Sequence, residues 1–156
     1  HPGQVVVLKG NHEDAYLGAC GDALSPTTRR WLRDLPLFYE TERQIFVHAG
    51  IDEEAGDLWQ VACEDWYFLG KVPASVGSFP KDIIAGHVGT YGLCGENRVY
   101  WDGQAHFYLD GSTERSGVVP VLKYDSVTNR YTTFWRAQTS DGASAWCEEP
   151  VHPGRA

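Results

Sequence analysis

The sequence predicts an α/β chain whose distinctive residues sit at strand ends, and three observations carry that expectation. Short apolar runs finish in Gly10-Asn11-His12-Glu13, in His48-Ala49-Gly50 and in Gly86-His87. Helix-start and helix-stop signals stand between these runs, and beyond His87 the pattern changes to short alternating segments separated by turn residues.

Gln4 to Leu8 reads as the first strand, and Glu13 and Asp14 then open a short helix whose first turn favours their negative charge. Ser25-Pro26 marks a second helix, with serine as N-cap and proline at the first helical position. That helix is expected to carry Trp31, Leu32 and Leu35 inward and Arg29, Arg30 and Arg33 outward, and Pro36 stops it. Phe38 to Thr41 and Gln44 to Val47 follow as a hairpin about Glu42-Arg43. Leu58, Val61, Ala62 and Trp66 recur near helical spacing, so Asp57 to Leu69 reads as one helix closed by Gly70. Strands are then expected at Val99 to Trp101, His106 to Leu109, Val118 to Tyr124 and Tyr131 to Trp135, with turns at Asp102-Gly103 and Thr128-Asn129. Residues 137–156 are polar and read as a loosely ordered tail.

Neighbouring strands bring their carboxyl ends to one sheet edge, where open α/β proteins hold ligands. The constellation expected there is Asn11, His12, His48 and His87. Imidazole nitrogen and amide oxygen together suit a divalent metal such as manganese, iron or zinc. Each histidine taken alone is as readily a strand cap or a core hydrogen-bonding group; the recurrence at three strand ends favours the metal. His106 lacks a preceding glycine turn and alternates with Phe107 and Tyr108, which marks it as a structural histidine.

The 156 residues match one domain or most of one, and Trp 6, Tyr 8 and Phe 6 supply ample core material. A net charge of -8 argues against nucleic-acid binding, because little here replaces counterions along a phosphate backbone. No apolar run approaches membrane-span length, and no leader precedes His1, so cytoplasm is the expected location. Cys20, Cys63, Cys94 and Cys147 have no CxxC spacing and read as reduced thiols.

GNHE followed by HAG and then GH, at these separations, resembles the later part of the calcineurin-like metallophosphoesterases, above all the bacterial phosphoprotein phosphatase type. Leu35 to Ile51 and Phe107 to Asp125 share that look. The resemblance implies a β-sandwich flanked by helices, truncated at its amino terminus, over residues 1–136. It implies metal-dependent phosphoester hydrolysis of serine/threonine phosphoproteins or of small phosphate esters such as dinucleoside polyphosphates. Asn11, His48 and His87 would ligate one metal of a two-ion centre, with manganese the expected ion, and His12 would protonate the leaving alkoxide. Arg115, in the Asp110 to Gly117 loop, would touch substrate.

Two departures qualify the resemblance. The DxH and GDxxDRG motifs, which supply the remaining metal ligands and a catalytic arginine, are absent. Either the chain is a carboxy-terminal fragment or it is a truncated module that binds metal or a protein partner without hydrolysis; an opening at His1-Pro2-Gly3 with Met 0 favours the fragment. Nor does Asp57 to Lys71 contain the arginine the family places there to hold phosphate. Lys71 and Lys81 are candidate substitutes but are expected as solvated surface residues. Loss of amino-terminal strands would also leave a sheet edge open to self-association.

Overall fold

The computed structural model describes residues 5–138 and 144–154. It is mixed α/β, with two sheets and six α-helices among the described residues. The chain divides into a first unit, residues up to 75 with 79–84, and a second unit, 76–78 with residues from 85 onward.

In the first unit, α1 (Asn11–Cys20) begins at Gly10, and α2 (Pro26–Arg33) begins where serine and proline place it. The Ser25 hydroxyl accepts the Thr28 N–H at 3.1 Å, satisfying one of the donors a helix start leaves open. β1 (Phe38–Glu40) and β2 (Gln44–Val47) form the expected antiparallel hairpin, with Phe38 opposite Val47 and Glu40 opposite Ile45. Two short helices, α3 (Trp59–Ala62) and α4 (Asp65–Gly70), precede β3 (Asp82–Gly89). The core gathers Ile45, Val47 and Ile51 with Trp59 and Phe68, and Phe38 lies 4.9 Å from the Trp59 ring and 5.5 Å from the Phe68 ring. Full burial of a side chain such as Ile45 stabilises by about 1.5–3 kcal/mol.

β3 runs from the first unit into the second, where α5 (Thr90–Cys94), β4 (Tyr100–Trp101), β5 (His106–Asp110) and α6 (Thr113–Ser116) follow. The strand order is β1-β2-β3 in the first unit and β3-β5-β4 in the second. The second unit adds a three-stranded antiparallel sheet of β6 (Val121–Asp125), β7 (Arg130–Gln138) and β8 (Ser144–Pro150), with β7 central. Gly103 and Asn129 take the left-handed backbone that the two expected turns require.

Several expectations are corrected. Val5 to Lys9 form irregular backbone rather than a strand, and Val5 is 71% exposed. A strand must hand its N–H and C=O groups to a neighbour. Here the Lys9 N–H donates to the Pro36 carbonyl at 2.9 Å, and no strand of the described residues pairs with the valines. The single helix expected over Asp57 to Leu69 is instead a 3-10 turn (Glu53–Leu58), α3 and α4. Its apparent apolar stripe points the wrong way: Leu58, Val61 and Trp66 are exposed, while Trp59, Phe68 and Leu69 are buried. The break at Cys63, where the backbone is extended and the thiol sulfur accepts the Asp52 N–H at 2.9 Å, rotates the second half. Trp31, expected inward, is exposed, and Leu32 and Leu35 alone carry the buried face of the α2 region. The segment read as a loose tail contains β8, which pairs with β7 through partners such as Thr133 and Glu149.

Lys71 and Lys81 are half-buried and engaged in ion pairs rather than freely solvated. The Lys71 ammonium binds the Ile51 carbonyl at 2.5 Å and the Glu53 carboxylate, with its side chain only 13% exposed. Lys81 donates to the Glu40 carboxylate and the Thr41 carbonyl, each at 2.7 Å. No helix of the described residues is long and apolar enough to cross a membrane.

Candidate functional site

The structure brings two of the expected ligands together. Asn11 is the first residue of α1 and His48 directly follows β2, and the Asn11 Oδ1 lies 2.8 Å from the His48 Nε2. Both side chains are half-buried.

The close approach depends on Gly10. A Cβ at that buried position would stand 2.8 Å from Glu13 Oε2 and 2.9 Å from both Cε1 and Nδ1 of His48. Glu13 in turn accepts the Gly10 N–H at 2.9 Å, closing the first turn of α1 from its third residue. On the other side, the Ala49 N–H donates to the Phe68 carbonyl at 2.8 Å, so the chain leaving His48 is tied to α4. Sequence reasoning gave Glu13 only a helix-dipole role and missed its part in seating Gly10 against the imidazole. The capping spacing from Gly10 to Glu13 was the available signal.

The Asn11–His48 spacing is that of a hydrogen bond and is also compatible with an octahedral ion. Two ligands at right angles, each about 2.1 Å from such an ion, lie √2 times that, about 3.0 Å, apart, whereas tetrahedral zinc would set them about 3.4 Å apart. The observed 2.8 Å is close to the right-angle spacing. Without an ion, a hydrogen bond forms in which an Nε2–H donates to the amide oxygen; an ion would call for the other tautomer, with the proton on Nδ1 and the Nε2 lone pair turned to the metal. Among the described residues no group of three or more His, Cys, Asp or Glu side chains converges as a metal cluster. An amide oxygen is one of the two donors here, and such a pair lies outside that set.

His12, the next residue of α1, is exposed. Consecutive helical residues point about 100° apart, so His12 turns away from the direction of Asn11 and remains open to solvent.

His87 belongs to the second unit. It is half-buried within β3 and its φ is 61°, left-handed backbone that a non-glycine residue rarely adopts. Holding it there costs on the order of 1–2 kcal/mol, and such strain clusters at functional sites. The turn after it is tightly built. Thr90 is fully buried and its hydroxyl donates to the Asp110 carbonyl at 3.1 Å, while a Cβ at Gly89 would meet Ser112 Oγ at 3.0 Å. Ser112 itself has φ 49° and donates its N–H to Asp110 Oδ1 at 2.7 Å. The Asp110 to Ser116 loop is therefore anchored beside the His87 turn.

The remaining candidates are placed as follows. Arg115 lies in α6 with its side chain 88% exposed and Glu114 Oε1 3.7 Å away, so nothing orients it toward a ligand. His106 is 2% exposed, and its Nδ1 faces the Gly77 carbonyl at 3.0 Å and Asp102 Oδ2 at 3.2 Å, the environment of a structural histidine. Burial pushes the Asp102 carboxyl up, yet the N–H groups of Gly77, Gln104 and His106 and the His106 ring outweigh it and hold Asp102 below the usual range. The four cysteines are free thiols, and burial raises Cys63 above its ordinary value.

No protein-family model, curated protein or solved structure matches this chain.

Proposed function

We propose that this chain carries part of the metal centre of a phosphoester hydrolase of the calcineurin-like type, built on a β-sandwich flanked by helices. Asn11 and His48 of the first unit hold a divalent ion, manganese before iron or zinc. The observation that carries this reading is the 2.8 Å approach of Asn11 Oδ1 to His48 Nε2, maintained by a glycine that no larger residue can replace without moving the imidazole.

When bound, the ion polarises a phosphoryl oxygen and lowers the pKa of a water beside it. The chain's own groups do the rest. Asn11 and His48 would orient the phosphate by fixing where the ion sits. His12, exposed at the start of α1, gives its proton to the leaving oxygen as the ester bond breaks. Substrates of this chemistry are phosphoserine or phosphothreonine proteins, or small phosphate esters. Neutral ligands alone offset none of the ion's charge, so this chain binds it weakly.

A second reading is a phosphatase-type module that binds metal or a protein without hydrolysis. It is favoured by the engagement of Lys71 and Lys81 in ion pairs, which leaves neither free to hold phosphate. Manganese-dependent hydrolysis of para-nitrophenyl phosphate by this chain and its Asn11→Ala variant separates the two. Turnover that disappears in the variant supports hydrolysis by this site. Metal binding without turnover supports the module, and turnover that is equal in both proteins overturns the assignment of Asn11.

A further inference from the structure

Strand alternation places Tyr131, Thr133 and Trp135 on one face of β7. Tyr131 packs against Phe107, ring centroids 4.5 Å apart, and Trp135 carries the Arg98 guanidinium 4.2 Å from its ring centre. Thr133, the small residue between two aromatics, lines a cavity of about 330 Å³ together with Arg98, Tyr100 and Glu149. Pro150 to Gly154 form another part of its wall. The Val151 N–H donates to the Tyr131 carbonyl at 3.2 Å and the Gly154 N–H to the Trp101 carbonyl at 2.6 Å. Gly154 lies so close to the Tyr100 ring that a Cβ there would collide with it.

Two features show that this cavity is prepared for a guest. Thr133 is only 5% exposed, and its hydroxyl has no hydrogen-bond partner among the described residues. Buried hydroxyls are almost always satisfied, so this orphan on a cavity-lining residue leaves a hydrogen bond that a guest can supply once a χ1 rotation turns the hydroxyl to the cavity. Arg98 is the second feature. Its nearest carboxylates are Glu149 Oε1 at 3.5 Å and Glu96 Oε2 at 3.9 Å, beyond the roughly 2.7–2.9 Å of a charge-assisted hydrogen bond. A planar cation fixed on an indole, with its N–H fork lacking a tight partner, is arranged to receive a carboxylate.

We propose that this cavity binds a free α-amino acid. The carboxylate takes the Arg98 fork, the ammonium sits with Glu96 and Glu149, and the side chain lies beside Tyr100 within reach of the Thr133 hydroxyl. The charge pattern selects a zwitterion. A simple anion would face two carboxylates, and a simple amine would leave the guanidinium unanswered. The volume lies at the small end of the ~300–1,000 Å³ range of ligand pockets, which suits a molecule of this size. This site is independent of the metal reading.

The test is a saturation-transfer NMR screen of the twenty common α-amino acids against the full chain, followed by tryptophan-fluorescence titration of the strongest binder. Saturable binding is expected, weakened at least tenfold in the decarboxylated amine and in the deaminated acid of the same side chain. Arg98→Gln should weaken it at least tenfold, and Thr133→Val should weaken it while the thermal midpoint stays at or above that of the unaltered chain. The ligand analogues keep the test decisive if Arg98→Gln unfolds. No saturable binding by any amino acid, or equal binding by the amine alone, overturns the proposal.

Discussion

Gly10→Ala tests how the Asn11–His48 pair is held. The added Cβ would lie 2.9 Å from His48 Cε1, whereas nonbonded carbon atoms rest about 3.5–4.0 Å apart, so the imidazole must retreat by at least about 0.6 Å. Glu13 must also swing away from 2.8 Å, which deprives the Gly10 N–H of its acceptor. Overpacking of this kind costs about 1–3 kcal/mol. The effect on metal is separable, because ligand positions tolerate only about 0.2 Å, and disturbing the shell around a ligand lowers metal affinity by about 10–100-fold. Gly18→Ala in the same helix is the control. A Cβ there meets nothing within 4 Å, so relief of glycine's chain entropy should stabilise by about 0.5–1 kcal/mol and leave metal binding alone. Thermal unfolding and calorimetric titration with manganese on the three proteins give both quantities. A Gly10→Ala chain with unaltered stability and metal affinity would refute the packing argument.

Other expectations follow from the same structure. His87→Gly relieves the left-handed strain and should change stability by less than about 1 kcal/mol, whereas the β-branched His87→Val should cost about 1–2 kcal/mol more, read by urea unfolding. Lys71→Ala removes the ammonium that the Glu53 carboxylate and the Ile51 carbonyl share and should cost about 1–3 kcal/mol, while Lys123→Ala, whose pair with Glu148 is long and exposed, should cost under about 0.5 kcal/mol. Asp102 has its folded pKa below the unfolded value near ~3.9, so its stabilisation is full above that pH and is lost as pH falls through the folded value. The unfolding free energy of the unaltered chain should therefore drop more steeply below about pH 4 than that of Asp102→Asn, and parallel curves would contradict this.

What was legible in the sequence was what local chemistry decides. Ser25-Pro26 announced α2, and the Phe38 to Val47 hairpin and the turns at Gly103 and Asn129 followed from short-range signals. His106 declared itself structural by alternation in a strand, and His48 stands at a real strand end, whereas Asn11, expected after a strand, opens a helix behind irregular backbone. Features fixed by distant partners were hidden. Val5 to Val7 have strand composition but no adjoining strand among the described residues, and β8 has a polar, proline-ended sequence yet pairs along β7. Between residues 57 and 69 the helical stripe was real in spacing but false in direction, because Cys63 interrupts the helix and Trp59 and Phe68 supply the buried face. Lys81 reads as a surface lysine until Glu40, 41 residues away, is seen to hold it.

The central claim is that Asn11 and His48 share one divalent ion, and manganese stoichiometry measured on the unaltered chain and three alanine variants tests it most directly. Weak binding of one ion per chain, retained in His12→Ala and lost in Asn11→Ala and His48→Ala, is the predicted result. Binding that survives in Asn11→Ala or His48→Ala, or no binding by the unaltered chain at millimolar manganese, would contradict it.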